Sequence, residues 1–260
     1  MAITNVPRYS PQLPTVRPTA EERRHRKQRL AAAYRIFAHF GFDEGVAGYI
    51  MARDPERPEC FWVSPFGMSF KQVRAADLCL VGADGTVLDG TWLVSSSAIN
   101  IFAQVGAARP DVVCIAHAHT MYAKTFASLR RPLRPLTQDA CIFFEDHGLG
   151  IDDGNGVANN VDEGRRVAAA LGPYKAAIIG DHGIFTVGQS VEEAVFWFVS
   201  LEHSCQSELM AMAAADPQPI SDELARTIHN QVGFPVAGWF SAQPMFDWII
   251  AQQPDCLEEN

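Results

Sequence analysis

Val113-Cys-Ile-Ala-His117-Ala-His119-Thr-Met-Tyr122-Ala-Lys-Thr-Phe126 is the stretch on which the reading of this 260-residue chain turns. An apolar run of strand character ends in two histidines two positions apart, and side chains two apart leave the same face of a strand. A third histidine follows a second apolar run, Ala176-Ala-Ile-Ile-Gly-Asp181-His182-Gly183. Three neutral imidazoles converging on one point would chelate a divalent transition metal and leave a position open for chemistry. For His117 and His119 alone, strand-end histidines satisfied by backbone are an equal reading. His182, in its Asp-His-Gly setting, adds weight to the metal.

Working outward, composition narrows the class. The formal charge of -9 disfavours nucleic acid and anionic lipid as partners. No apolar run approaches the roughly 20 residues of a membrane span, and the polar, proline-interrupted start has no apolar leader segment, so a soluble cytoplasmic chain is expected. Six cysteines lie scattered without a C-x-x-C pair, as reduced core residues do. A basic run, Arg23, Arg24, Arg26, Lys27 and Arg29, beside Glu21 and Glu22, reads as a solvated helix face. Without a Gly-x-Gly-x-x-Gly loop, no nucleotide cofactor is expected. Asp152-Asp153-Gly154-Asn155 lacks the rest of a calcium-loop pattern.

In chain order, residues 1–18 read as an extended arm, 19–215 as the metal-binding domain, and 216–260 as a tail packed on the domain or on a neighbouring subunit. Thr19 and Glu22 form a capping-box signal for a helix over 19–39, stopped by Gly41. Two short strands follow around a proline-rich turn, then a strand pair around the Asp84-Gly85 hairpin signal. Ser95-Ser96-Ser97 caps a helix over 98–108, which Arg109-Pro110 ends before the His-x-His strand. A short helix starts at Tyr122, residues 140–144 read as a strand, and 148–160 as a loop. Helices are expected up to Gly172 and over 191–214, with Phe196, Trp197 and Phe198 in the core. The alternation favours an antiparallel-rich sheet with helices on both faces.

Eight pieces, in order, resemble the class II aldolase/adducin family: Gly-Tyr-Ile-Met-Ala-Arg, Ser-Pro-Phe-Gly, Asp-Leu-Cys-Leu-Val-Gly-Ala-Asp-Gly, Ser-Ser, Ala-Arg-Pro-Asp-Val, His-x-His-x-x-Tyr, Asp-His-Gly and Gly-x-Ser-Val-Glu-Glu-Ala. The resemblance implies an α/β (α+β) three-layer sandwich with a central, mainly antiparallel sheet. It also implies a metal on His117, His119 and His182, and commonly a homotetramer with active sites between subunits. Zinc, manganese, cobalt and iron(II) all suit three imidazoles.

The departures from the family pattern bear on the substrate. Where sugar-phosphate aldolases of the family carry an acid/base glutamate after the serine pair, this chain has Ala98, which cannot move a proton. Their phosphate pocket corresponds here to Gly48-Tyr49, Phe66-Gly67, Ser96 and Ser97. A phosphate dianion needs several donors and Phe66 offers none, so a sugar phosphate is disfavoured. The positions instead favour a small, aromatic 2-oxo or 2-hydroxy acid, with Tyr49, Phe66, Phe102, Phe143 and Phe144 as candidate pocket lining. The expected activity is metal-dependent carbon-carbon cleavage of the lyase or decarboxylase type. A non-heme iron(II) oxygenase acting by oxidative decarboxylation and a non-catalytic adducin-like module are the alternatives. His147, Glu145 and Tyr122 are the candidate acid/base residues, set against readings as a hydrogen-bonding loop histidine, a surface carboxylate and a core aromatic.

Overall fold

The run before His117 forms strand β5 (Cys114–Ala118) near the centre of an eight-stranded sheet, in a computed structural model that describes residues 14–151 and 161–259. The other strands are β1 (Tyr49–Arg53), β2 (Cys60–Val63), β3 (Cys79–Gly82), β4 (Val87–Asp89), β6 (His147–Ile151), β7 (Ala176–Gly180) and β8 (Gly183–Gly188). They lie in the order β4-β3-β2-β1-β5-β8-β7-β6, and only the β6/β7 pair is parallel. Seven helices are present among the described residues: α1 (Thr19–His39), α2 (Ser96–Ala108), α3 (Met121–Ala127), α4 (Val161–Leu171), α5 (Val191–Ala214), α6 (Asp222–Val232) and α7 (Pro235–Gln252). Helices α2 and α4 cover one face of the sheet and α1, α3, α5 and α7 the other, which makes the expected three-layer sandwich.

Strand alternation sorts the core into two. Tyr49 and Met51 of β1 join Ile115 of β5 in the α2/α4 core, while Ile50, Ala52, Cys114, Ala116 and Ala118 enter the other. The same parity sends His117, and His119 just beyond the strand, to the α2/α4 side. Of the aromatic run expected in the core, Trp197 and Phe198 are fully buried in the larger core while Phe196 is partly buried and packs against it, and all six cysteines are buried and unpaired.

Several local expectations are corrected. Helix α1 begins after Pro18 with no side-chain cap, because Glu22 is drawn instead to Arg17 and Arg26. The basic run is a docking seam, not a solvated face: Arg23 pairs with Asp54, Arg29 with Glu192, and Lys27 lies over Trp62. Residues Ala140–Phe143 form a 3₁₀ turn, since a short apolar run buried on all sides carries no period to mark it as strand. The strand is the following β6, where a loop was expected. Its glycines serve close packing: a Cβ on Gly148 would fall 1.6 Å from the Ala170 carbonyl oxygen of α4. The rest of that expected loop, with Asp152-Asp153-Gly154-Asn155, lies outside the described residues, as do residues 1–13 of the expected arm over 1–18.

Residues 216–259 fold as α6, α7 and a 3₁₀ turn, Pro254–Leu257, and α7 packs on α5 and α1 of the same chain. No helix among the described residues is long and apolar enough to cross a membrane.

Candidate functional site

His117, His119 and His182 come together at one end of the sheet, each offering a ring nitrogen within 4.8 Å of the other two. Their rings meet edge to face, with centroids 5.1 Å apart for His117 and His119, 4.9 Å for His117 and His182, and 5.0 Å for His119 and His182. His117 is fixed most tightly. Its Nδ1–H donates to the Ile184 carbonyl at 2.9 Å, because a carbonyl only accepts, and so the Nε2 lone pair is left for a ligand. Its ring stacks on Phe185, the residue opposite it across the β5/β8 pair, at 4.0 Å and 5°.

Each histidine is placed by a different local device. The β1/β5 pairing closes on His117 because Gly48 has no side chain; a Cβ there would lie 2.9 Å from the His117 carbonyl oxygen. His182 sits in the tight β7/β8 turn, where Asp181 and Gly183 both take positive φ, 63° and 151°. His119 precedes α3, whose first turn is held by the buried Glu202 of α5. Thr120 Oγ1, Tyr122 N–H and Ala123 N–H all donate to that carboxylate, at 2.5, 3.0 and 2.6 Å. A carboxylate at a helix N-terminus satisfies donors that the helix cannot.

Burial suits these rings to a metal. It pushes His117 well below the usual histidine range, assisted by the neighbouring imidazoles, and it also lowers His119, assisted by Lys124. Neutral imidazoles are the form that ligates a cation. The donor set therefore fits a divalent transition metal.

The remaining predicted residues divide. Tyr49 is buried with its ring 5.3 Å from that of His117, and its hydroxyl lies 3.4 Å from Ser97 Oγ. Burial raises the Tyr49 pKa, so its hydroxyl stays protonated. Ser96 and Ser97 open α2, capped by Ser95. Tyr122 is exposed on the first turn of α3, not a core aromatic. His147 is not brought to the cluster: its Nδ1–H donates to Phe143 O at 2.6 Å and its Nε2 accepts from Leu133 N–H at 3.1 Å, so both ring nitrogens are spent on backbone. Glu145 is exposed and held bidentately by Arg226 at 3.1 and 2.7 Å. Phe102 and Phe143 are core residues on opposite faces of the sheet, not the walls of one cavity.

Two residues that no motif marks enter the site. Glu163 of α4, 5% exposed, places Oε1 3.8 Å from His182 Nδ1 and accepts from Ser97 Oγ at 3.5 Å. Phe185 supplies the plate under His117. Glu163 follows Asp162 in an ordinary acidic first turn, and only the packing of α4 on α2 distinguishes it.

Two cavities flank the cluster region. The one lined by Gly48, Tyr49, Ser64, Phe66, Gly67 and Ser95 holds only about 20 Å³. The other, about 290 Å³, is lined by His182, Glu163 and Arg166 and by the apolar Leu149, Val167 and Ile179.

The sheet, its two helical layers and the histidine cluster define a class II aldolase-type fold. The chain belongs to that family: residues 28–209 match the model described as Class II Aldolase and Adducin N-terminal domain. It is 42% identical over 238 residues to the "4-hydroxy-3-prenylphenylpyruvate oxygenase/4-hydroxy-3-prenylbenzoate synthase" of Streptomyces roseochromogenus subsp. oscitans, covering 91% of this chain and 86% of that one. It is 40% identical over 258 residues to "Decarboxylase NovR" of Streptomyces niveus, covering 98% and 95%. A solved structure named L-fuculose 1-phosphate aldolase from Glaciozyma antarctica PI12 superposes with a TM-score of 0.87 at 38% identity, covering 95% and 97%.

Proposed function

We propose that the protein is a metal-dependent enzyme that breaks a carbon-carbon bond next to the acid group of a small aryl 2-oxo or 2-hydroxy acid. The observation that carries this reading is the convergence of three histidines, His117 fully buried and His119 and His182 partly so, with His182 lining an apolar-walled cavity of about 290 Å³. Cavities near this size accommodate small organic ligands. The relatives named as an oxygenase and as a decarboxylase support an enzyme over an adducin-like module.

In this reading His117, His119 and His182 hold the metal. Bound there, a divalent ion supplies Lewis-acid charge for an oxygen that becomes negative as the bond breaks, and iron(II) adds redox chemistry with dioxygen. Arg166 supplies positive charge within the same cavity for the substrate carboxylate. Tyr49 and Ser97 form a neutral hydroxyl pair beside His117 that orients the acid group, with Ser96 next to them. Tyr122, exposed on the first turn of α3 three residues after His119, is the candidate proton carrier of this reading. His147 and Glu145 take no part, since each is spent on its own partners.

Sugar-phosphate cleavage is disfavoured by Ala98, fully buried where a carboxylate would be required, and by the small cavity at Phe66 and Gly67. Oxidative decarboxylation is the second reading, favoured by the name of the 42% identical relative. Oxygen uptake with aryl 2-oxo acids separates them: uptake that tracks turnover selects the oxygenase, and turnover under argon selects the lyase. A homotetramer with sites between subunits belongs to the same proposal and is checked by light scattering.

A further inference from the structure

We propose that Glu163 is the carboxylate of the three-histidine centre, a positioning residue that reaches it from α4 and restores to the site the negative charge that Ala98 removes from α2. The inference rests on the metal-dependent reading above and concerns how the centre is completed. Three imidazoles are neutral ligands, so a divalent ion on them keeps both its charges unless an anion stands nearby. Ala98 is buried and carries no charge. Ser97, its neighbour in the chain, donates to Glu163 Oε2 at 3.5 Å, and Glu163 Oε1 lies 3.8 Å from His182 Nδ1. The carboxylate thus faces the ring nitrogen that leaves the opposite one, Nε2, for a ligand. Outer carboxylates of this kind set the orientation and basicity of a metal-bound imidazole.

The reason Glu163 arrives there is the residue after it. A Cβ on Gly164 would lie 2.3 Å from the Asn100 carbonyl oxygen and 2.8 Å from Gln104 Cγ, so α4 lies against α2 more closely than any side chain at 164 permits. That approach carries Glu163 under cover. Asp162, one position earlier in the same turn, is 66% exposed in its side chain and pairs with Arg165, as an ordinary first-turn acid does. Glu163 is 5% exposed, and a buried carboxylate is stable only with opposite charge close by. A divalent ion on His182 adds such charge on that side.

The test is titration of chelator-treated, full-length protein with cobalt(II), followed by its visible absorption bands, for wild type, Glu163→Gln, Glu163→Asp and Gly164→Ala. Glu163→Gln, equal in size, is expected to bind cobalt(II) about 10 to 100 times more weakly, with shifted bands and an unchanged far-ultraviolet circular dichroism spectrum. Glu163→Asp recovers part of the affinity, and Gly164→Ala, which forces the helices apart, reproduces the loss. Cobalt(II) binding and bands in Glu163→Gln that match those of wild type overturn the inference while leaving the metal-dependent reading intact. A wild-type protein that binds no cobalt(II) overturns both.

Discussion

The imidazole of His117 lies flat on the ring of Phe185, 4.0 Å away and 5° from parallel, and the two residues face each other across β5 and β8. This plate and the Ile184 carbonyl together fix the ring in plane and in tautomer. Phe185→Ala is expected to destabilise the fold by about 3 to 4 kcal/mol, since the side chain is fully buried, and to weaken metal binding as His117 gains freedom. Phe185→Leu keeps more of the volume and loses less of both. Urea unfolding and cobalt(II) titration measure the two effects, and unchanged metal affinity in Phe185→Ala would remove the plate from the account of the centre.

Glu202 ties the chain beyond His119 to the long helix. Glu202→Ala leaves Thr120 Oγ1 and the Tyr122 and Ala123 amides without their acceptor, and about 3 kcal/mol of stability is expected to go with it. Glu202→Gln retains one acceptor oxygen and loses less. If both variants unfold at the wild-type urea midpoint, the carboxylate is not what anchors that turn.

Much of this was legible in the residues, and the limits have physical causes. Parity along β5 sends His117 and His119 to one side because a strand repeats every two residues, and the Asp-His-Gly turn announces His182. Glu163 was not legible, because its role depends on the closeness of α4 to α2 at Gly164, a contact between segments distant in sequence. The 3₁₀ turn at Ala140–Phe143 and strand β6 were exchanged for the same kind of reason. Total burial erases the period of the turn, and the glycines that α4 requires give β6 the composition of a loop.

The larger cavity is the proposed seat of the aryl group, and the small one at Phe66 is not. Ala169, an exposed residue of α4 that also lines the larger cavity, can be enlarged without disturbing the core. Ala169→Phe is expected to raise KM for aryl 2-oxo acids by about tenfold, the effect of roughly 1.4 kcal/mol of lost binding, with little change in stability. Phe66→Thr should change KM much less. The reverse order in steady-state kinetics would move the aryl group to the Phe66 side.

Asp54 provides a pH-dependent handle on the basic seam of α1. Burial alone would raise its pKa, but hydrogen bonds from Arg23 and Trp62 overcome this and hold it below the ordinary value. A folded pKa below the unfolded one means stability that is present above the unfolded value, about 3.9, and lost as pH falls through the folded value. Asp54→Asn is expected to cost about 3 kcal/mol at neutral pH, with the gap to wild type narrowing in acid. Urea midpoints across that range test it, and a gap independent of pH contradicts the assignment.

The central claim is that three histidines hold one catalytic metal. Elemental analysis of anaerobically purified wild type and His119→Ala, beside turnover of an aryl 2-oxo acid by each, tests it most directly. The account predicts about one transition-metal ion per wild-type chain, with metal and turnover both lost in a folded His119→Ala protein. Full turnover by a metal-free chain, or by His119→Ala, would contradict it.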